Sequence, residues 1–206
     1  MNSRTRIFLS SDSTRLPVRR LREHALVALA ALVLGAGPAA AAPVLGFIEE
    51  FAGTSTGSFS GGTNFSNPGA GGYLGAGDGF LLLDQAFPSQ FASSGRGDDY
   101  LGNWTAAGIT KIQVWMNDVG DDDALEMHLH IGRGDQSENA NFWMYTVGFL
   151  PPHNAWGLYT VDLTSDAMWM LHQGSGTFAA APTDVDRVLI RHDLAPYLPH
   201  PNMPDP

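Results

Sequence analysis

The chain has 206 residues, a length that suits one globular domain with short appendages and disfavours two full domains. It carries 11 Lys and Arg against 21 Asp and Glu, for a formal net charge of −10, and it contains no Cys. The lack of Cys excludes disulfide scaffolds, Cys-ligated zinc, iron–sulfur clusters and thiol nucleophiles. With 24 Gly, 13 Pro and 44% hydrophobic residues, the composition disfavours a coiled coil and a wholly disordered chain.

The first 41 residues have the pattern of a secretory signal peptide. Six of the eleven basic residues lie between positions 4 and 22, and an apolar run of 11 residues follows from Ala25 to Gly35. That run is too short to span a bilayer, which takes about 20 residues. Small residues come next, and Ala39-Ala40-Ala41 is the predicted cleavage site. We therefore expect a leader, residues 1–41, that is removed on export, and a secreted or cell-surface protein without an integral membrane segment.

Removal of this leader would leave a strongly acidic protein. Five basic residues would remain against 19 acidic ones, for a net charge of about −14. No basic patch would be left to neutralise phosphates, which disfavours nucleic acid and anionic membranes as partners. The acid surplus favours neutral or cationic ligands, and it makes calcium the natural structural metal.

The rest of the chain has the pattern of short strands joined by turns. Residues 51–79 are rich in Gly, Ser, Thr and Asn, with Phe59, Phe65 and Tyr73 spaced through them. Alternation with period two predicts strands over 111–117, 125–131, 141–147 and 156–163, and an apolar strand over 187–191. An acidic turn separates the first two of these strands, which predicts that they are hairpin neighbours. Only residues 166–172 are compatible with a helix. The sequence thus predicts an all-β fold, an antiparallel β-sandwich of the jelly-roll kind, over residues 42–195, followed by a Pro-rich tail, 196–206.

The order of these strands, together with the phrase Tyr-Leu-Gly-Asn-Trp-Thr-Ala-Ala-Gly-Ile-Thr at 100–110, resembles a known family. From Val44 to Arg191 the chain is similar to the jelly-roll domains of secreted bacterial proteins, akin to laminin-B-type and carbohydrate-binding modules. Such domains are often found in proteins with a C-terminal PEP-CTERM sorting signal. In that family a Pro-rich loop and one further strand follow the strand that matches 187–191. The resemblance therefore implies that this sequence is truncated before a final strand.

One predicted sheet face combines aromatic and polar side chains. By strand parity, Gln113 and Trp115 share a face, and that face continues on the next strand and onto a third. Sugar rings stack on Trp and Tyr while amide and imidazole groups bond their hydroxyls, so such a face suits a neutral glycan. The alternative is that one or more of these aromatic residues simply packs under a covering loop. The predicted ligand-binding residues are Gln113, Trp115, His128, His130, Trp143 and Tyr145.

The sequence contains two candidate metal sites, one for calcium and one for a transition metal. By analogy with calcium-bearing jelly rolls, the resemblance points to Glu50 and Asp78 as candidate ligands of a structural calcium ion. Alternatively, Glu126, His128 and His130 would form a first shell for a transition metal if they share one strand face. The sequence favours a polar sheet face over this second site.

The sequence contains no nucleophile elbow, zinc-protease helix or phosphate-binding loop. We therefore expect an exported, non-catalytic module that binds carbohydrate at the cell surface or in the extracellular matrix. One alternative is a structural matrix protein without a small ligand. A less favoured one is a polysaccharide hydrolase that uses Asp121 and Glu126 as its acid/base pair.

Overall fold

The computed structural model describes residues 2–10, 42–60, 64–84, 92–120, 125–134, 141–193 and 195. These residues form mostly antiparallel strands with very little helix, which confirms the all-β prediction. The rest of the predicted leader, the acidic turn at 121–124 and the Pro-rich tail lie outside the described residues.

The first sheet has five strands in the order β3-β4-β1-β6-β9, and every pairing is antiparallel. Its strands are β1 (Asn2–Ser10), β3 (Asn64–Ser66), β4 (Leu81–Asp84), β6 (Lys111–Asp118) and β9 (Gly157–Asp162). The strand β1 comes from the beginning of the predicted leader and lies in the middle of this sheet.

The second sheet has six strands in the order β10-β8-β7-β11-β5-β2, again all antiparallel. Its strands are β2 (Phe59–Ser60), β5 (Ala92–Gly95), β7 (Met127–Arg133), β8 (Asn141–Tyr145), β10 (Trp169–Gln173) and β11 (Arg187–His192).

Both sheets contribute to one hydrophobic core. Ile112, Val114 and Met116 of β6 are fully buried in it, and so are Met127 and Leu129 of β7. Residues that alternate with these along each strand therefore lie on the faces that point away from the core. This shared core fixes which side chains of each strand belong to a common surface.

A single helical turn, α1 (Trp104–Ala107), contributes Trp104 to the core. The Asn103 side chain caps it by accepting from the Ala106 amide at 2.8 Å. Gly108, with φ 74°, ends it in the left-handed conformation that favours glycine. Trp104 is fully buried and donates its indole N–H to the Tyr100 carbonyl oxygen at 2.7 Å. The described residues also include two 3₁₀ helices, Asp98–Tyr100 and Phe178–Thr183.

One local prediction is wrong. The strands β6 and β7 do not form a hairpin, because the chain crosses from the first sheet to the second between them. The segment 166–172, which is compatible with a helix by its sequence, instead contributes to the strand β10 (Trp169–Gln173), paired with β8. There Trp169 lies opposite Tyr145, and their rings pack edge to face at 5.4 Å. Tertiary packing of this kind overrides a local helical preference.

Candidate functional site

The six predicted ligand-binding residues occupy three separate places. Gln113 and Trp115 lie on the outer face of the first sheet, because they alternate with the core residues of β6. His128 and His130 lie on the outer face of the second sheet, because they alternate with the core residues of β7. The prediction of one continuous face is therefore corrected: β6 and β7 belong to different sheets, so their outer faces point in opposite directions.

The remaining two predicted residues pack inward, which corrects their assignment to the binding face. Trp143 is only 9% exposed and belongs to the core, with its ring 5.7 Å from that of Phe178. Tyr145 packs against the core between Trp169 and Phe149. Burial raises the pKa of the Tyr145 hydroxyl, and the charge of Asp162 raises it further.

The outer face of the first sheet carries a stacked aromatic pair. The rings of Tyr73 and Trp115 are 3.7 Å apart between centroids and tilted by only 17°, so the two rings are stacked. Tyr73 comes from the Gly-rich segment between β3 and β4 and keeps 37% of its surface exposed, while Trp115 is half-buried. Trp115 thus packs beneath a loop, as one of the sequence alternatives held, yet the loop presents its own aromatic ring to the solvent.

Polar and apolar groups surround this pair. The Gln113 amide approaches the Thr160 hydroxyl of β9 at 3.4 Å, across the strand boundary. Leu158 of β9 lies opposite Trp115 in the strand register and is 45% exposed. We name this surface the Trp115 face, and it consists of Tyr73, Gln113, Trp115, Leu158 and Thr160.

An asparagine holds the loop that supplies Tyr73. The Asn67 amide donates to the carbonyl oxygens of Phe51, at 2.7 Å, and Ser55. Its Oδ1 accepts from the amides of Gly69 at 2.8 Å and Phe80 at 3.1 Å. Because Asn67 is 8% exposed, these bonds satisfy both ends of a buried carboxamide. The side chain therefore fixes both ends of the loop from which Tyr73 reaches Trp115.

His128 has both ring nitrogens engaged. Its Nδ1 donates to the Tyr145 carbonyl oxygen at 2.8 Å, and its Nε2 lies 2.9 Å from Oε1 of Glu126. Because a carbonyl oxygen only accepts, Nδ1 must carry a proton, and the second contact requires a proton on Nε2 or on Glu126. Neither nitrogen is left to coordinate a metal, so this geometry does not favour the transition-metal alternative.

The outer face of the second sheet continues with further buried polar groups. The rings of His130 and His172 meet edge to face at 4.9 Å. An Arg191 guanidinium nitrogen lies 3.1 Å from Nε2 of His172, and another lies 3.3 Å from a carboxylate oxygen of Asp193. All four residues are at most 6% exposed. This cluster is buried polar structure, in contrast to the accessible Trp115 face.

The structure gives the calcium prediction no support. Asp78 is used within its own turn, where Oδ2 accepts from the Leu74 amide at 2.9 Å, and Glu50 is exposed. Among the described residues, no group of three or more His, Asp or Glu is arranged to hold a metal ion. Calcium therefore stays a prediction from the sequence.

A separate cleft lies near one end of the second sheet. Its volume is about 240 Å³, below the range of about 300–1,000 Å³ that is typical of small-molecule sites. Gly132, Asn141 and Asp184 are among the residues that line it, and none of the predicted ligand-binding residues does. Of the predicted acid/base pair, Glu126 contacts His128, and Asp121 lies outside the described residues.

Sequence reasoning missed Tyr73 as a member of the accessible aromatic surface. It lies in a Gly-rich loop without periodicity, and only its aromatic character marked it. His172, Arg191 and Asp193 were missed as well, because their association depends on the pairing of distant strands.

Comparison with known proteins yields no match: no protein-family model, no curated protein and no solved structure is similar to this chain. Within the part of the chain that the structure describes, no helix is long and apolar enough to cross a membrane.

Proposed function

We propose that this chain is an exported, non-catalytic binding module that takes a neutral carbohydrate on the Trp115 face, at the cell surface or in the extracellular matrix. The observation that carries the proposal is the stacked pair of Tyr73 and Trp115 on the outer face of the first sheet. The exposed ring of Tyr73 offers a flat apolar surface, and sugar rings present apolar C–H faces that stack on such surfaces.

The groups around the aromatic pair suit sugar hydroxyls. Gln113 supplies an amide with two donors and an acceptor, and Thr160 supplies a hydroxyl. Their mutual contact at 3.4 Å is long for a hydrogen bond, so a ligand hydroxyl can replace it at little cost. Leu158 adds exposed apolar surface beside Trp115. The formal net charge of −10 favours a neutral ligand over an acidic one.

The proposed architecture is a jelly roll. Two antiparallel sheets of five and six strands share one core, and most neighbours within each sheet are not consecutive in the chain. Chain crossings of this kind between two sheets are typical of Greek-key and jelly-roll sandwiches. The proposed resemblance to secreted laminin-B-type and carbohydrate-binding modules is compatible with this arrangement, and the case for export comes from the leader pattern of residues 1–41.

A glycan-array screen of the full-length protein tests the proposal. Binding is expected to a defined set of neutral glycans, and Trp115→Ala and Tyr73→Ala are each expected to weaken it about tenfold or more. The matched control is Phe65→Ala, which removes an aromatic ring of similar exposure, 36%, from β3 and should leave binding unchanged. Circular dichroism of each variant checks that the fold is retained.

The outcomes separate the alternatives. Binding that survives both aromatic substitutions would contradict the proposed surface. A folded protein that binds no glycan would favour a structural matrix role without a small ligand. Repeating the screen with excess EDTA tests the calcium prediction, because loss of binding on chelation would require a bound divalent ion.

A further inference from the structure

The first sheet has a strand position in its middle that is filled from the N-terminus. Residues 2–5 of β1 pair with β4 on one side, and residues 3–10 pair with β6 on the other. The strands β4 and β6 do not pair with each other, so β1 alone joins the two parts of this sheet.

The two strands that flank this position form one side of the core. Leu81 and Leu83 of β4 are fully buried, and so are Ile112, Val114 and Met116 of β6. Along most of their length, β4 and β6 pair with β1 through backbone hydrogen bonds. The strand in this position therefore completes the backbone hydrogen bonding of the sheet. It also lies between two strands that bury side chains in the core.

The segment that fills the position belongs to the leader that the sequence predicts to be removed on export. Its removal would leave β4 and β6 with backbone amide and carbonyl groups that have lost their partners. A strand edge of this kind is a template for pairing with another strand, and a buried backbone group without a partner is costly.

The Pro-rich tail is a poor substitute. Residues 196–206 contain Pro196, Pro199, Pro201, Pro204 and Pro206. Proline cannot donate to a ladder, and strands that pair on both sides exclude it. The composition of this tail therefore disfavours it as the replacement strand.

We propose that the position between β4 and β6 is a strand-acceptor site that binds an extended peptide segment supplied from outside residues 42–206. The segment pairs antiparallel to both flanking strands, as β1 does. Main-chain hydrogen bonds supply the affinity, and alternating apolar side chains against the core supply the selectivity. The expected occupant is a segment of about eight residues without proline and with alternating polarity. This proposal rests on the export part of the proposed function, which removes the leader, and it does not depend on glycan binding.

The test uses the full-length protein with a protease recognition sequence inserted after Ala41. The folded protein is cut at that site, unfolded in urea, and refolded with a large molar excess of a labelled peptide that has the sequence of residues 2–10. We expect the peptide to co-elute with the folded protein in equimolar amount. A control peptide with Thr5→Pro and Ile7→Pro carries two residues that cannot donate to a ladder and that disfavour a central strand, and its incorporation should be at least about tenfold lower.

Three results would overturn the proposal. The cut protein could refold without either peptide and without its own leader, which would mean that β4 and β6 close the gap themselves. It could take up both peptides equally, which would mean that uptake does not use strand pairing. It could also fail to refold with the labelled peptide present, which would mean that the position accepts no strand from outside the chain.

Discussion

Glu126 and His128 form an ion-pair geometry in which Oε1 of the carboxylate lies 2.9 Å from Nε2 of a fully buried imidazole. The Glu126 side chain is itself 29% exposed, so it connects the buried polar cluster of the second sheet to the solvent. A histidine buried in this way needs partners for both nitrogens, and Glu126 supplies one of them.

Replacing Glu126 with alanine should lower the free energy of unfolding by about 1–3 kcal/mol, because His128 loses this partner in a buried place. Glu126→Gln keeps a side-chain oxygen that accepts from Nε2, and it should recover part of the loss. Urea unfolding of both variants measures the difference. Equal stability of the two variants would contradict a role for this hydrogen bond. Neither change should alter the proposed glycan binding, since the Trp115 face belongs to the other sheet.

His192 should make stability depend on pH. Burial lowers its pKa below the ordinary value of 6.5, and a hydrogen bond to the Glu126 carbonyl oxygen only partly offsets this effect. The unfolded chain therefore binds the proton more readily than the folded protein. The contribution of His192 to stability is complete above pH 6.5 and is lost as the pH falls from there through the lowered folded pKa.

The matched variant for this prediction is His192→Asn, whose amide can still donate to Glu126 but does not titrate. The charges of Glu126 and His128 also act on His192. The free energy of unfolding is therefore measured against pH for both the original protein and the variant, and the two curves are compared. Urea unfolding at several pH values should show a shallower loss of stability below pH 6.5 in the variant. Parallel profiles would exclude His192 as the source of the dependence.

Asn67 should be a strong determinant of stability in the first half of the domain. Asn67→Ala removes the donor to the carbonyl oxygen of Phe51 and the acceptor for the Phe80 amide, both in buried surroundings. The expected loss is about 2 kcal/mol or more in the free energy of unfolding. Asn64→Ala, an exposed change on the neighbouring strand β3, is the control and should have little effect. A loss of the same size in both variants would argue against the network.

Gly132 should not tolerate a side chain. A Cβ atom at this position of β7 would lie 2.1 Å from the Asn141 carbonyl oxygen, which is backbone of the paired strand β8 and cannot move aside cheaply. Gly132→Ala should therefore lower the melting temperature, with an unfolding free-energy loss of about 1–3 kcal/mol. The control is Gly77→Ala, because a Cβ there meets nothing within 4 Å. Thermal unfolding of both variants decides the matter, and an unchanged melting temperature for Gly132→Ala would refute the prediction.

Local alternation predicted individual strands well where one face lies in the core and the other does not. Along β6, Ile112 and Val114 are buried and Gln113 and Trp115 are half-buried, as the sequence pattern indicates. The same rule failed on β7, where His128 and His130 alternate with apolar residues but are fully buried. The alternation of polar and apolar residues indicates which side chains share one face of a strand. It does not indicate whether other parts of the protein cover that face.

The relation between strands could not be read from the sequence. The acidic turn after β6 suggested a hairpin, yet sheet membership depends on pairings between segments far apart in the chain, such as β7 with β11. For the same reason Tyr73 could not be placed on Trp115, because that contact joins a loop without periodicity to a strand about 40 residues later. Individual strands could thus be predicted from the sequence, whereas the candidate site depends on tertiary contacts between distant segments.

The position of β1 also constrains the order in which the protein can form. This strand is synthesised before its long partner β6, which ends at Asp118, so their full ladder cannot form until the chain has been made as far as that residue. Pairings of such large sequence separation carry a loop-closure entropy cost and slow the folding of all-β domains. Until Asp118 emerges from the ribosome, the N-terminal strand has no β6 to pair with, and it stays available to whatever machinery handles the nascent chain.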